Sequence, residues 1–575
     1  MRAAVIGGLA LAGLAPPAWA EEPWSLRVTE DAELRYYHFP PEEQLPGFED
    51  LRVQDYLEQV NRVYLAAGKG RFSATAQIDE VALLWNRYYL DDQPHNSWPL
   101  MDDSLWSPLD NAYLNLEKLS FQQRWAKVEL TVGDTYASFG RGVSLNIVKN
   151  TDLDIDTSIR GAKAVFRLGK LDLTAISGLT NRQQVSQDNR NLALDRDVSH
   201  MVSGLRAEAY GVGRLNLGAH GVVYSFGRED NALLGLPRYA QAPDAVVGGA
   251  TLEAPGLLGV DWFVEGDVFG NLAEELGGGD DPLLGYAGYG SASFYPGDTV
   301  VLIEVKRTQD TERLNTFSGA DAWEVAQVPT LEFERVITED SSAAVNSNDL
   351  AGARARVDIA LPHQITPYVS AAAFRDCDTE GLHFNETPET IVHPIAGLQA
   401  LGAHNNLQAH LGYRVDMRDE VGASGWMCDA PTEITEGLPD VLDPDRLAHL
   451  DLDGHLGLGE HDGIELILSI KHYTWGTNAQ QQSPFLEMSN ALSYQRGEKW
   501  ALTLYQDYSD NAILQSEGNL TEHLYGAAEI QYKPTSSVVV RAFYGAYKAG
   551  IHCAGGQCRY LPGFDGARLS FNGTF

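Results

Sequence analysis

The chain has 575 residues and a formal net charge of −37. That balance excludes nucleic acid as a partner, because phosphate binding needs clustered Lys and Arg, and it opposes docking on an anionic surface without divalent ions between. Gly (56), Tyr (25) and Trp (11) are plentiful while helix-period stretches are few, and no apolar run reaches the length of about 18 that a membrane-spanning helix requires.

The first twenty residues, MRAAVIGGLALAGLAPPAWA, combine a basic Arg2, an apolar stretch from Ala3 to Leu14, a Pro16-Pro17 break and a small-x-small site at Ala18-Trp19-Ala20. This pattern predicts a secretory signal peptide over residues 1–20, too short for a transmembrane helix. Residue 21 is Glu, so cleavage leaves no lipidatable cysteine, and residues 21–575 become the mature domain.

From about Trp24 onward one unit recurs: a strand with period-two alternation, a tight turn, a second strand, then a long polar loop. Tight turns are predicted near Gly68–Gly70, Gln122–Arg124, Leu168–Lys170, Gly211–Gly213, Pro255-Gly256, Tyr295–Asp298 and Leu361–His363. The series continues near Ala403–Asn405, His461–Gly463, Arg496–Glu498 and Lys533–Ser537. Loops of such length count against a compact soluble domain. They suit an outer-membrane barrel, which has short periplasmic turns and long outer loops. The count is about 24 strands, within a range of 20 to 26, from Trp24–Tyr37 to Phe564–Phe575. An even number puts both termini at the periplasmic end. The predicted fold is therefore all-β, a single large antiparallel transmembrane β-barrel.

Closure follows from the solvent. In lipid an unpaired backbone group at a sheet edge costs several kcal/mol, so strands survive only when the first and last pair. Alternation then assigns faces. His449, Asp451, Asp453 and His455 are predicted to face the lumen and Leu450, Leu452, Leu456 and Leu458 the lipid. Arg541 and Glu529 fall in the lumen phase of later strands, while Phe166, Trp500, Tyr532 and Phe575 stand beside turns in the outward phase, as an aromatic girdle would.

The final segment, RLSFNGTF, alternates to its last residue. Taken alone it fits an edge strand of a soluble sandwich as well as a barrel strand. With Phe571, Gly573 and Phe575 it resembles the C-terminal β-signal of Gram-negative outer-membrane proteins. That resemblance implies recognition by the barrel-assembly machinery, a porin-like topology, residence in the outer membrane and contact with its lipid and lipopolysaccharide. Gly133-Asp134-Thr135-Tyr136 through Phe139-Gly140-Arg141-Gly142 is similar to a stretch in a large, uncharacterised group of outer-membrane barrels.

Other chemistry is sparse. Cys553 and Cys558 flank a short turn-rich loop and are expected to pair with each other, which leaves Cys377 and Cys428 to join two other loops; a metal site is the weaker alternative. All four fall at the long-loop end. Asp152, Asp154 and Asp156 align three carboxylates on one face of an extended chain, a possible Ca²⁺ set, but the EF-hand glycine and glutamate are missing and a wetted strand entrance is the plainer reading. The His449–His455 ladder could bind a metal or relay protons; lining a wet lumen is the plainer reading there too. Otherwise no cofactor is expected, beyond Ca²⁺ at acidic loops such as 418–446, where divalent ions could be shared with lipopolysaccharide phosphates.

Gly-x-Ser-x-Gly, His-Glu-x-x-His, P-loop and dinucleotide motifs are absent from the sequence, so an enzyme is not expected. An outer-membrane hydrolase remains the least favoured of three readings, and it would place a Ser or Asp beside a His near the outer rim. A channel leads, for passive or gated passage of solutes or an exported polymer, and a non-transporting adhesin or scaffold follows. Energised uptake is not expected, since active receptors carry a plug domain before the barrel and here strands begin at once.

Overall fold

A computed structural model describes residues 23–38, 51–90, 93–95, 112–150, 155–183, 185–186, 200–225, 245–271, 284–309, 350–376, 389–402, 404–418, 444–459, 461–474, 484–510, 523–548, 550–554, 557–561 and 563–575. Within them the chain is almost wholly β, and a short 3-10 turn at Pro362–Gln364 interrupts the strands. No helix of the described residues is long and apolar enough to cross a membrane, a statement that bears on helices alone.

Twenty-four antiparallel strands pair in chain order and close on themselves. The first, Ser25–His38, pairs with Leu51–Lys69 on one side and with the last, Phe564–Thr574, on the other, in a register that runs from Thr29 opposite Thr574 to Tyr37 opposite Gly566. Val28 and Phe575 then exchange two backbone hydrogen bonds of 2.8 and 3.0 Å. Phe575 is thus itself part of the seam. Closure removes every edge, the condition a sheet must meet in hydrocarbon.

The expected strand number is met, and so are most of the tight turns. One is displaced. The strand expected to turn at Gln122–Arg124 continues through Arg124, and the hairpin closes at residues 125–127, where Trp125 N–H donates to the Val128 carbonyl at 2.7 Å. The polar Gln-Gln-Arg triplet reads as a turn, but Gln122 is a strand residue that spends its amide on Glu129 of the next strand.

Exposure alternates along the strands as a one-layer wall demands. In Trp500–Ser509, Trp500, Leu502 and Leu504 are exposed, while Ala501, Thr503 and Tyr505 on the other face are half-buried. The exposed phase elsewhere carries Val223, Val264, Val268, Leu411, Ile467 and Leu569, a surface no soluble protein of this size leaves bare. The opposite phase carries the ionic groups: Arg62 forks onto Asp79 with two bonds of 3.0 Å, Arg414 forks onto Asp416, and Glu304 meets Arg354 at 2.8 Å. This is the inner face.

Candidate functional site: a hairpin laid inside the barrel

One stretch of the inner face is not polar. Ile159, Ile176, Val202, Val222, Tyr224, Val247, Phe269 and Ala287 are all buried, and they come from seven consecutive strands, Ser158–Arg167 through Leu284–Phe294. Apolar groups on the wet side of a wall need a cover. The cover is the connection between Val128–Thr135 and Ser158–Arg167. Its Phe139, Val143, Leu145 and Ile147, each 2% exposed or less, pack onto that patch. Ala137–Phe139 and Leu145–Ile147 pair as a small hairpin, so the segment's own backbone groups are satisfied inside the lumen.

Both ends of the hairpin are held by polar contacts. At its root, Asp134 accepts from the Leu119 backbone N–H (2.8 Å), Ser158 Oγ (3.0 Å) and Asn181 Nδ2 (2.8 Å), and it also pairs with Arg160 at 3.3 Å. At the tip, the Arg141 N–H donates to Glu265 at 2.6 Å, and the Arg141 guanidinium lies over the rings of Phe263 (4.8 Å) and Tyr289 (5.4 Å). Gly140 has φ +58°, and a Cβ there would lie 1.9 Å from a Glu265 oxygen, so both backbone and space require glycine. Tyr224 Oη donates to the Ser144 carbonyl at 2.5 Å. The Gly133–Gly142 stretch singled out in the sequence therefore has a structural meaning: it roots the hairpin and turns its tip.

The return limb ends in an ionic knot. Asp156 pairs with Lys118 (2.5 Å) and Lys149 (2.9 Å) and accepts from Tyr136 Oη, while Lys149 Nζ donates to Tyr64 Oη at 3.0 Å. Burial works against the Asp156 carboxylate, but the two ammonium groups overcome it and hold the carboxyl below its usual range. Of the three aspartates expected as a calcium set, Asp152 and Asp154 lie outside the described residues. Asp156 is engaged by the ammonium groups of Lys118 and Lys149.

A second segment enters the lumen. The carbonyls of Val185 and Ser186, beyond the Leu171–Asn181 strand, accept from Arg62 (2.7 Å) and Arg35 (3.4 Å) on the first two strands. Arg35 also pairs with Glu33 and Glu58, and Val185 packs against Val60 and Val81.

Elsewhere on the wall, His449 and Asp451 do not stand as a simple ladder. His449 Nδ1 lies 2.8 Å from Asp451 Oδ2, His410 Nε2 lies 3.1 Å from the same oxygen, and His449 Nε2 meets His393 Nε2 at 2.9 Å. Asp453 and His455 are more open to the solvent, near the turn that ends Asp445–Gly457. Arg541 donates to Gln531 and Glu529 stands opposite Thr503 in the ladder. Phe166, Trp500, Tyr532 and Phe575 are exposed, and Trp500 stacks on Tyr532 with ring centroids 4.2 Å apart. Cys377 and Cys428 lie outside the described residues. Cys553 and Cys558 stand opposite one another in the ribbon Gly550–Ala554 with Gln557–Leu561, where only the backbone is described.

Among the described residues the Asp–His proximity that a hydrolase would need occurs here, at the exposed His38–Asp55 pair at the long-loop end (2.6 Å) and at His220–Asp267 (2.6 Å). The side chains of His220 and Asp267 are fully buried, out of reach of a substrate. At the His449–Asp451 cluster, Ser469 Oγ donates to Asp451 Oδ1 at 2.8 Å and so is spent on the carboxylate.

A family model described as a family of unknown function (DUF6029) matches residues 100–209 and 478–575, stretches that include the inward hairpin and the closing strands. No curated protein matches the chain. Among solved structures, the chain is similar to the copper transporter OprC (10% identity, TM-score 0.43, covering 98% of this chain and 81% of that one). It is also similar to the P pilus usher PapC translocation pore (7%, 0.40, 96% and 99%) and to OpdK of Pseudomonas aeruginosa with vanillate (13%, 0.37, 68% and 94%). The barrel assignment rests on this chain's own strand pairing.

Proposed function

We propose that the protein is an outer-membrane channel of a Gram-negative bacterium through which small solutes pass, its lumen narrowed by the hairpin of residues 137–147. The observation that carries this reading is a built constriction: a hairpin sealed to the inner wall by apolar packing and tethered at root, tip and return limb by Asp134, Glu265 and Asp156. A cylinder of 24 strands is wider than the barrels of about 16–18 strands that already leave an aqueous channel. A channel of that width needs something inside it to discriminate among solutes.

The sequence pattern and the strand order support the rest of the reading. Residues 1–20 act as the export signal, the short-turn end with both termini faces the periplasm, the terminal RLSFNGTF is read by the assembly machinery, and the exposed aliphatic belt meets lipid. The cysteines, which the sequence pattern assigns to the long-loop end, are oxidised there. Purified protein in planar bilayers tests the channel. Stepwise conductance supports it, with larger steps when residues 137–147 are replaced by a short Gly-Ser link. A correctly folded barrel that stays silent in both forms overturns it in favour of a scaffold that presents its outer loops.

A further inference from the structure

Four neighbouring strands, Glu389–Leu401, Asn405–Arg418, Asp445–Gly457 and Asp462–Thr474, each contribute one or more polar side chains to a single point on the inner wall. His410 stands directly opposite Asp451, and Asp451 directly opposite Ser469. His449 stands opposite Gly412, where a Cβ would lie 2.1 Å from His449 Nε2. Glycine at 412 opens a gap in the middle strand. Through it the His449 ring reaches over one whole strand to His393, which no alanine would allow.

We infer that His410, His449 and Asp451 form a binding site for a divalent transition-metal ion such as Zn²⁺, with His393 and Ser469 as the groups that orient the ligands. One nitrogen of each imidazole and one carboxylate oxygen can be chosen within 4.8 Å of one another. The separations from Asp451 Oδ2 to the two imidazoles, 2.8 and 3.1 Å, approach the roughly 3 Å between ligand atoms set by metal bonds of about 2.0–2.2 Å. Two imidazoles with one carboxylate suit borderline metals, and hard cations such as Ca²⁺ prefer all-oxygen sets.

The surroundings complete the assignment. With His449 binding through Nδ1, its Nε2–H donates to His393 Nε2 at 2.9 Å, which fixes the tautomer and the ring plane. Ser469 donates to the other carboxylate oxygen at 2.8 Å and leaves Oδ2 for the ion. Ligands held in this way by outer groups are the usual construction of a metal site. His393 and His449 are 1% exposed and His410 9%, so the imidazoles are held in the wall, and remaining coordination positions are taken by lumen water. Among the described residues one other buried cluster of this kind occurs, His220, Glu265 and Asp267, of which Glu265 also accepts the Arg141 N–H of the hairpin.

The site is independent of conduction, since a silent barrel would bind the ion equally. Untagged full-length protein in detergent, stripped with chelator, is titrated with Zn²⁺ by calorimetry. One equivalent is expected to bind, none in the His410→Ala/His449→Ala double variant, and about ten- to a hundredfold more weakly in His393→Ala. Absence of stoichiometric binding in the wild type, or equal binding in the double variant, overturns the assignment. Should the double variant fail to fold, Cu²⁺ loaded at one equivalent into the wild type decides by electron paramagnetic resonance. Superhyperfine splitting from two nitrogens is expected, and an all-oxygen signal rejects the site.

Discussion

At the scale of single residues, three positions carry more than their size suggests. Gly140 sits at φ +58° with Glu265 against it, so Gly140→Ala meets both a left-handed backbone penalty of about 1–2 kcal/mol and a collision with a carboxylate. The hairpin tip should detach in this variant, and limited proteolysis from the lumen side should cut near Arg141 at a rate the wild type does not show. Asp134 is the converse case, one carboxylate that satisfies donors from three elements. Asp134→Ala leaves the part-buried Leu119 N–H without its acceptor, at about 1–3 kcal/mol, and removes one of two partners each from Ser158, which keeps the Asn181 carbonyl, and Asn181, which keeps the Glu117 carbonyl. Urea unfolding in detergent should show a loss of at least about 2 kcal/mol, whereas Asp134→Asn, which keeps one acceptor, should lose less. Gly412 is a space rather than a conformation: filling it pushes His449 off His393, and zinc affinity should fall while hairpin anchoring is untouched.

At the scale of elements, the strands were legible in the sequence and the hairpin was not. Strand alternation is a local signal, because each residue's face is set by its parity and by which solvent lies on that side. The hairpin's partners come from seven strands spread over more than a hundred residues, so no window of the sequence contains them. A signal was nevertheless present. Ile159, Ile176, Val202, Val222 and Phe269 are apolar in the lumen phase, and such residues on consecutive strands announce that something covers them. His393 and His410 escaped for a related reason: each is a lone histidine on its own strand, and their meeting depends on an unremarkable glycine on one of those strands.

The hairpin's return limb has a pH dependence of its own. Asp156 is held below its usual range by Lys118 and Lys149, so its stabilising contribution is fully present above the unfolded value of about 3.9 and lost as pH falls through the lower folded value. Asp156 by itself should therefore leave the conductance steps constant from about pH 7 to 5 and make them larger or noisier only below about pH 4, whereas Asp156→Asn should show the altered steps at neutral pH.

At the scale of the whole molecule, the claim that the exposed aliphatic surface faces lipid can be separated from the claim that the chain merely forms a cylinder. Leu504 and Thr503 are adjacent in one strand and point to opposite faces, Leu504 half exposed and Thr503 half-buried, its hydroxyl bonded to Ser493 and its backbone opposite Glu529 of the neighbouring strand. In a bilayer, lysine at an outward position near the midplane costs about 2–4 kcal/mol, because its ammonium loses water and gains no partner. Lysine at the inward position remains hydrated in the lumen and gains Glu529 as a counter-ion. Leu504→Lys should thus lower stability by that amount when the protein is folded into phospholipid vesicles, and Thr503→Lys by less than about 1 kcal/mol. In a water-soluble cylinder the order would reverse, since Leu504→Lys would then place a charge in solvent while Thr503→Lys would disturb the interior. The sign of that difference, measured on two neighbouring residues of one strand, decides which solvent the wall was built for.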